Sequence, residues 1–332
     1  MTVAVRIGND RTSLRVQSVG VTQSLENALS QAQIVTYEQN RFALAQLIEV
    51  DIDGVRRFTG TLEEHPGVAH RGYQLSCQST TGNLQRFQAD KNEVFRRTTA
   101  GNIVSELCSR VDVAVVGTST SSVGKHSLRA GTSYMTSAQK LGEAHGFTLT
   151  VDGFGRAVMF ALPDVLTPVG TWTRGVPPVR DIEIDPSLVG WVDEFVLRGE
   201  RSPVSSDVTN PVGGQLGMEV VTGSIRRSRE LLSNRAASNA AAARTVVLQE
   251  ARKRLAQAFR IPVQLGSTDR SVGDLVQVRI REGKDQLNMT LIISSLDWSI
   301  ESSNRSVTAI CRLPDVYGSG ELSRAAISEV ST

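Results

Sequence analysis

The four histidines and the serine-rich tracts are the residues of this chain that could support hydrolytic or metal-dependent chemistry. His65, His70, His126 and His145 show neither an HxH nor an HxxxH spacing, so a metal site would have to be assembled from distant residues. No GxSxG motif is present, and no serine tract carries a histidine in a recognisable nucleophile context. These patterns predict no catalytic residues, no metal site and no cofactor.

Two glycine-containing stretches superficially resemble nucleotide-binding loops. Between Gly117 and Gly124 lie six residues where a phosphate loop has four, and His126 stands where a magnesium-binding hydroxyl is required. The stretch 153–155 lacks the third glycine and the following helix of a dinucleotide fingerprint. We interpret the first stretch as a flexible polar connection and the second as a hairpin turn.

Paired carboxylates are the remaining candidates for acid–base chemistry. Glu63 is adjacent to Glu64, and Asp193 is adjacent to Glu194. Adjacent residues on a strand point to opposite faces, so neither pair can flank a glycosidic bond, and solvated faces are the default interpretation. The aromatic content of 5% leaves few rings for stacking on bases or sugars.

The three cysteines, Cys77, Cys108 and Cys311, lie far apart and form no CxxC pair. An odd, scattered count argues against a disulfide framework and against a zinc site. The pattern therefore predicts buried free thiols.

The charge is balanced in number but skewed in type. With 36 basic and 34 acidic residues, the net charge of +2 provides no global field for binding nucleic acid or membranes. Only five basic residues are lysine, and either desolvated interfaces or a coding bias would explain the arginine excess. The densest patch is Arg226, Arg227, Arg229 and Arg235, which is either a solvated helix start or a subunit interface that clamps carboxylates.

Alternation of apolar and polar residues predicts strands in the first part of the chain. The segment 47–52 alternates, Asp53-Gly54 favours a tight hairpin turn, and 55–63 forms the return strand. A further alternating strand covers 73–77. We therefore expect a first antiparallel β-barrel domain over residues 1–90.

Helical spacing marks the next part of the chain, residues 91–180. One helix is predicted within 98–110, capped by Thr98 or Thr99, and a second runs from Ser133 to His145 with Gly146 placed to end it. A β-hairpin follows over 147–160. These elements predict a helix-containing insert domain.

The remaining residues divide into a second β domain and a tail. Prolines concentrate between 162 and 180, where we place a domain junction. A second β-barrel domain is expected over 181–314, with a long helix at 236–259. Residues 315–332 are expected to form a loose C-terminal tail.

An internal repeat connects the two β domains. The segment 275–280 repeats the pattern of 47–52, and a long strand follows over 287–300, where the apolar phase flips and implies a bulge near Ser294. Both copies close with a strand that ends in cysteine. Chance similarity of alternating strands is the alternative to duplication. With duplication, the fold class is α+β, mainly β, with two similar antiparallel, tube-like β-barrels and helical and mixed inserts.

The order of elements over residues 40–165 resembles the contractile-tail hub family that includes phage late control protein D, the Mu-type baseplate hub and the N-terminal half of the spike protein VgrG. The matching motifs are Asp53-Gly54 with Phe58-Thr59-Gly60, Tyr73 to Cys77 followed by Leu84, Asn102 to Cys108, and Ala138 to Gly146 followed by Phe147-Thr148-Leu149 and Asp152-Gly153.

The resemblance implies a homotrimeric baseplate hub with no catalytic residues to carry over. Its partners would be the tail tube protein, a separate central spike protein, the tape measure protein and baseplate wedge proteins, and DNA would pass the lumen without specific binding. No signal peptide or membrane segment is expected. The resemblance implies a location in the virion tail baseplate, assembled in the host cytoplasm. The alternatives are a hexameric distal tail or tube-cap protein and a tail-associated cell-wall hydrolase.

Overall fold

The structure is a computed structural model. It describes residues 2–8, 11–38, 42–64, 67–69, 72–183, 185–186, 194–197, 206–209, 229–231, 252–253, 256, 259–280, 287–301 and 304–318. Most of the described strands, fifteen in number, join one continuous sheet, and the ladders within it are antiparallel except for one. The predicted α+β, mainly-β class is therefore confirmed.

The first half of this sheet contains eight strands. They are β1 (Val3–Ile7), β2 (Thr12–Leu14), β3 (Val16–Ser24), β4 (Gln31–Thr36), β5 (Leu47–Ile52), β6 (Val55–Leu62), β7 (Gly67–Ala69) and β8 (Gly72–Ser79). Their order is β3-β4-β8-β6-β5-β1-β2, with β7 beside β8. Asp53 and Gly54 have φ angles of 52° and 77°, which are the positive values that the predicted hairpin turn requires.

The insert between the two halves combines α-helices with short strands. Its elements are α1 (Gly82–Arg86), β9 (Glu93–Thr99), α2 (Ala100–Ser109), β10 (Val115–Val116), β11 (Ser122–Leu128), α3 (Tyr134–His145), β12 (Thr148–Val151) and β13 (Ala157–Phe160). Thr99 caps α2, Ser133 caps α3, and Gly146 ends α3 in the left-handed conformation, as predicted. The connection predicted over 117–124 is shorter, because β11 begins at Ser122 and pairs with β9.

The second half follows the insert. Its elements are β14 (Gly170–Thr173), β15 (Val179–Ile182), β16 (Asp185–Pro186), β17 (Glu194–Leu197), β18 (Ser206–Thr209), β19 (Arg229–Leu231), β20 (Phe259–Leu265), β21 (Leu275–Ile280), β22 (Leu287–Glu301), β23 (Arg305–Arg312) and a 3₁₀ helix (Pro314–Tyr317). Strands β17, β18 and β19 form a separate small sheet. The register of β22 against β23 shifts between Ile293 and Ser295, so the predicted bulge at Ser294 is confirmed.

The two halves repeat one strand order. In the first half β5, β6, β8 and β4 are consecutive neighbours in the sheet, and in the second half β21, β22, β23 and β20 are. The next neighbour is β3 in the first half and β15 in the second, in both cases antiparallel. The segments 47–77 and 275–311, matched by sequence pattern, therefore have equivalent pairing partners.

Three expectations about the second half need correction. The proline-containing stretch 162–180 is not a plain junction, because β14 and β15 already pair with the second half's strands. The helix predicted over 236–259 lies mostly outside the described residues; Arg252, Lys253 and Ala256 within it are helical, but Phe259 already belongs to β20. The tail predicted from 315 does not begin there, since the 3₁₀ helix buries Asp315 and Tyr317; residues 319–332 lie outside the described residues.

Separate apolar clusters lie beneath these elements. One cluster contains side chains from both halves of the sheet, including Phe58 and Trp298, which are both fully buried. A second cluster belongs to the insert and contains Ile103, Leu107 and Leu141. Within the described residues the ladder pairs close no barrel, so the two predicted barrels are not confirmed by strand pairing. None of the helices in the described segments is long and apolar enough to cross a lipid bilayer.

Candidate assembly site

Two serine–histidine pairs in the insert are the contacts closest to catalytic chemistry. Ser121 Oγ lies 2.8 Å from His145 Nδ1, and His126 Nε2 lies 2.8 Å from Ser137 Oγ. Neither histidine has a carboxylate partner in the part of the chain that the structure describes, so no third group orients the ring as a general base requires. Sequence spacing gave no sign of either pair, because strands and helices distant in sequence bring them together.

The environment of His126 favours a structural role for its hydrogen bond. Burial lowers the pKa of His126, and the nearby positive charges of His145 and Lys140 lower it further. Its partner Ser137 is buried on α3, with 2% of its surface exposed, and cannot reach a substrate. Across the described residues, no group of three or more His, Cys, Asp or Glu side chains could hold a metal ion.

A cleft of about 790 Å³ lies where the insert meets the end of the second half. Its walls include Glu26, His145, Arg312 and Tyr317. Arg312 forms an ion pair with Glu26, and the hydroxyl of Tyr317 donates a hydrogen bond to the same carboxylate at 3.1 Å. Burial raises the pKa of Tyr317, and the Glu26 charge raises it further. These contacts tie the 3₁₀ helix to the loop after β3.

The joint between the two halves is a continuous backbone ladder. Strand β22 pairs with β3 from Ser295 opposite Ser24 to Glu301 opposite Ser18, a run of seven residue pairs. Trp298 and Val21, which face each other in this ladder, are fully buried. The joint is therefore an extension of the sheet itself, covered by apolar side chains.

Arg57 crosses this joint as a buried cation. Its guanidinium donates to the carbonyl oxygens of Thr268 and Arg270, both at 3.0 Å, and its carbon lies 5.0 Å from the centre of the Trp298 ring. Its own carbonyl accepts a hydrogen bond from Gln23 at 2.6 Å. Burial lowers the pKa of Arg57, although nearby aspartates oppose the shift. The side chain thus connects the first half to the loop before β21.

A cluster of arginine side chains covers the outer face of the β5–β6 hairpin. Arg56 pairs with Asp51 and Glu49, and Arg6 also contacts both carboxylates. Glu49 is 5% exposed, so the polar face of this hairpin is covered by the arginine side chains. Burial alone would raise the pKa of Asp51, but hydrogen bonds and charges from Arg56 and Arg6 lower it overall.

The turn of the β12–β13 hairpin packs against this same face. The guanidinium of Arg56 lies 5.9 Å from the centre of the Phe154 ring. A Cβ atom on Gly153 would lie 2.1 Å from the carbonyl oxygen of Arg56, so only glycine permits the backbones to approach so closely. The stretch predicted as a hairpin turn therefore also attaches the insert to the first half.

The arginine patch predicted as an interface lies almost entirely outside the described residues. Arg226, Arg227 and Arg235 fall in segments that the structure does not describe. Arg229 begins β19, where its backbone pairs with that of Glu194. The interface role of the patch stays a prediction.

All three cysteines lie within the described residues. Cys77, Cys108 and Cys311 are all free and buried, as expected. Burial raises the pKa of Cys77 and of Cys108 to about 12, and it raises that of Cys311 as well.

Comparisons with known proteins give a likeness in fold. No protein-family model matches the sequence, and no curated protein is similar in sequence. The 43 kDa tail protein of prophage MuSo2 from Shewanella oneidensis is similar in structure, with a TM-score of 0.77 and 17% identity over 95% of this chain and 99% of that one. A tail protein from Neisseria meningitidis matches with a TM-score of 0.73 and 14% identity over 96% of this chain and 97% of that one.

A third similar structure comes from a bacterial secretion system. The Escherichia coli c3393 protein, a type VI secretion system component described as structurally similar to T4 tail proteins gp27 and gp5, has a TM-score of 0.59 and 12% identity. The match covers 95% of this chain and 78% of that protein. The resemblance to the hub family predicted from the sequence is confirmed as a likeness in fold: this chain has the fold of phage and prophage tail proteins.

Proposed function

We propose that the chain is a structural baseplate hub of a phage-type contractile tail, which connects the tail tube to the central spike. The observation that carries this proposal is the strand order repeated in the two halves of the sheet. A chain with two similar units needs only three copies to imitate a sixfold ring, and closed cyclic symmetry is the usual arrangement of oligomers. A homotrimer of this kind can continue a sixfold tube.

Each half is proposed to act as a tube-like barrel. In the first half β2 pairs with β1 and β3 pairs with β4, and only Arg15 separates β2 from β3. In the second half β14 pairs with β21 and β15 pairs with β20, with five residues between them. In each half, two strands that follow each other in sequence therefore pair with the opposite ends of the row of strands. This arrangement supports a closed unit without free strand edges.

The proposed partners are the tail tube protein, a central spike protein, the tape measure protein and baseplate wedge proteins, in the virion tail baseplate. The role is non-enzymatic, and DNA passes the lumen without specific binding. The likeness to tail proteins over nearly the full length of both chains supports this assignment. Among the described residues, the serine–histidine pairs have no orienting carboxylate and give the hydrolase alternative no support.

Mass measurement of the intact assembly in solution tests the proposal. We expect a particle of three chain masses, alone or after mixing with the tail tube protein. A hexamer would instead indicate the tube-cap alternative and would overturn the hub. Clearing of a cell-wall substrate in a zymogram, retained after Ser137→Ala but lost after Ser121→Ala, would overturn the non-enzymatic role.

A further inference from the structure

The two-stranded ribbon of β9 and β11 in the insert exposes a group of positive charges. Arg96 and Arg97 are exposed on β9, and Lys125 is exposed on β11. In the register of the ribbon, Arg96 lies directly opposite Lys125. Residues opposite each other in such a ladder have Cβ atoms about 5 Å apart, and like charges placed there destabilise the pairing. The ribbon thus carries two positive charges at a position where they oppose its own stability.

Arg97 adds a third charge through an uncommon backbone conformation. Its φ angle of 52° lies in the left-handed region, which residues other than glycine rarely adopt. Successive side chains of a regular strand point to opposite faces, so this irregularity allows Arg96 and Arg97 both to reach solvent. Gly124 lies opposite Arg97 by the count of the register, and a Cβ atom there would meet nothing within 4 Å. The space beside the charges is therefore open.

The carboxylates of the insert do not neutralise this group. Glu93 is the acidic residue of β9, and its carboxylate accepts a hydrogen bond from Arg110 at 2.8 Å. Glu106 pairs with the same guanidinium at 2.7 Å. The hydrogen bond from Arg110 lowers the pKa of Glu93, so this carboxylate stays charged and bound to Arg110. Among the residues that the structure describes, neither arginine of the group nor Lys125 forms an ion pair.

The β5–β6 hairpin shows the opposite arrangement. There Arg56 lies between Asp51 and Glu49, so the chain itself supplies the carboxylates that its arginine binds. The ribbon of β9 and β11 presents the same kind of side chain without such acidic neighbours. The carboxylates that its positive charges bind would therefore come from another molecule.

The chemistry of the exposed face fits a protein partner better than a nucleic acid. Beside the charges lies Val94, which is 48% exposed and stands opposite Ser127 in the ladder. Apolar contact next to arginine is typical of protein interfaces. The outward side chains of the ribbon at these positions include no aromatic ring on which a base could stack. The net charge of +2 provides no long-range attraction for a phosphate backbone.

We propose that the exposed face formed by Val94, Arg96, Arg97, Lys125 and Ser127 is a docking surface for a partner protein that presents clustered carboxylates. The two guanidinium groups bind carboxylates through paired hydrogen bonds, and the valine packs against an apolar side chain of the partner. Bound carboxylates also relieve the repulsion between the opposed positive charges. The inference goes beyond the hub function, because the repeated strand order on which that function rests does not involve the insert.

Binding of a short fluorescein-labelled peptide in which glutamate and serine alternate, followed by anisotropy at low ionic strength, tests this surface. In the double variant Arg96→Gln with Lys125→Gln, we expect the dissociation constant to rise about tenfold, because charge-assisted hydrogen bonds are lost. The matched control is Arg15→Gln with Arg260→Gln, which removes the same charge from two exposed arginines outside the insert. The control should change the dissociation constant by less than about twofold.

A charge-reversed variant separates binding from folding. Arg96→Glu with Lys125→Glu should lose the glutamate peptide and gain binding of a matching peptide in which lysine and serine alternate. A folding defect cannot produce this gain. In the glutamine variant, the removal of the like-charge pair should leave the thermal midpoint unchanged or raise it.

The outcomes decide between this surface and its alternatives. Loss of the glutamate peptide in the glutamine variant but not in the control, with gain of the lysine peptide after charge reversal, supports the proposal. Equal loss in the control, or no binding of the glutamate peptide to the unaltered protein, overturns it. A DNA duplex that binds more tightly than the peptide and is lost in the same variant would identify a nucleic-acid surface and overturn the protein partner. None of these results depends on the mass of the assembly, so the hub function stands or falls separately.

Discussion

The burial of Arg57 is the feature of the structure that the sequence indicates least. It lies beside Arg56 in a strand that alternates, and sequence pattern indicates only that the two point to opposite faces. The structure buries Arg57 to 3% exposure with two carbonyl acceptors and the Trp298 ring, while Nε has no hydrogen-bond partner. A buried arginine with carbonyl acceptors and an aromatic neighbour uses the planar fork that lysine lacks.

We predict that Arg57→Ala lowers the free energy of unfolding by about 2–4 kcal/mol, because two hydrogen bonds and the packing on Trp298 are lost together. Arg57→Lys should recover only part of this loss, since one ammonium cannot bridge both carbonyls in the same plane. Urea denaturation followed by circular dichroism measures the change. The control Arg96→Ala removes an exposed arginine of β9 and should shift stability by less than about 0.5 kcal/mol. Equal effects of Arg57→Ala and Arg96→Ala would contradict the role given to Arg57.

At the level of elements, the β12–β13 hairpin attaches the insert to the first half by close backbone approach. We predict that Gly153→Ala destabilises the protein by about 1–3 kcal/mol, because the added Cβ would meet the Arg56 carbonyl at 2.1 Å and force the hairpin away. The matched control is Gly124→Ala, where nothing lies within 4 Å of the added Cβ. Thermal denaturation of both variants measures the difference, and an unchanged midpoint for Gly153→Ala would show that the hairpin does not depend on this contact.

The elements that sequence pattern predicted well are those determined by local chemistry. The Asp53-Gly54 turn, the Thr99 and Ser133 caps and the Gly146 helix end each depend on a few neighbouring residues. The bulge at Ser294 was visible because a change of apolar phase within one strand has no other simple cause.

The elements that sequence pattern missed are those determined by distant partners. Strand β9 alternates weakly and is held by its pairing with β11, and β14 is a short segment whose neighbour β21 lies about a hundred residues later. The joint between β3 and β22 likewise connects strands from the two ends of the chain. No short stretch of sequence contains both strands of such a pair. The sequence therefore predicts the repeat that underlies the candidate assembly site, but it does not predict the contacts within that site.

At the scale of the whole molecule, the two halves share one apolar core, whereas the insert has its own. Each part contains one buried cysteine: Cys77 in the first half, Cys108 in the insert and Cys311 in the second half. Since burial raises the pKa of each thiol, the reactive thiolate forms in the native state only to a negligible extent. The three thiols therefore report separately on the unfolding of the three parts.

We predict that Cys77 and Cys311 become reactive towards a thiol reagent over the same range of urea concentration, because the ladder between β3 and β22 and the shared core make the two halves one cooperative unit. We expect Cys108 to become reactive at a lower urea concentration, because the insert has its own core and can unfold without disrupting the core of the two halves. Labelling at increasing urea concentration, followed by mass spectrometry of the peptides, measures the reactivity of each thiol.

The variant Trp298→Ala removes a fully buried ring from the joint. We expect it to lower the free energy of unfolding measured at Cys77 and at Cys311 by the same amount, about 3–5 kcal/mol. If Cys311 alone became reactive earlier, the two halves would be independent domains connected by a weak contact, and the rigid joint required for a pseudo-sixfold ring would be absent.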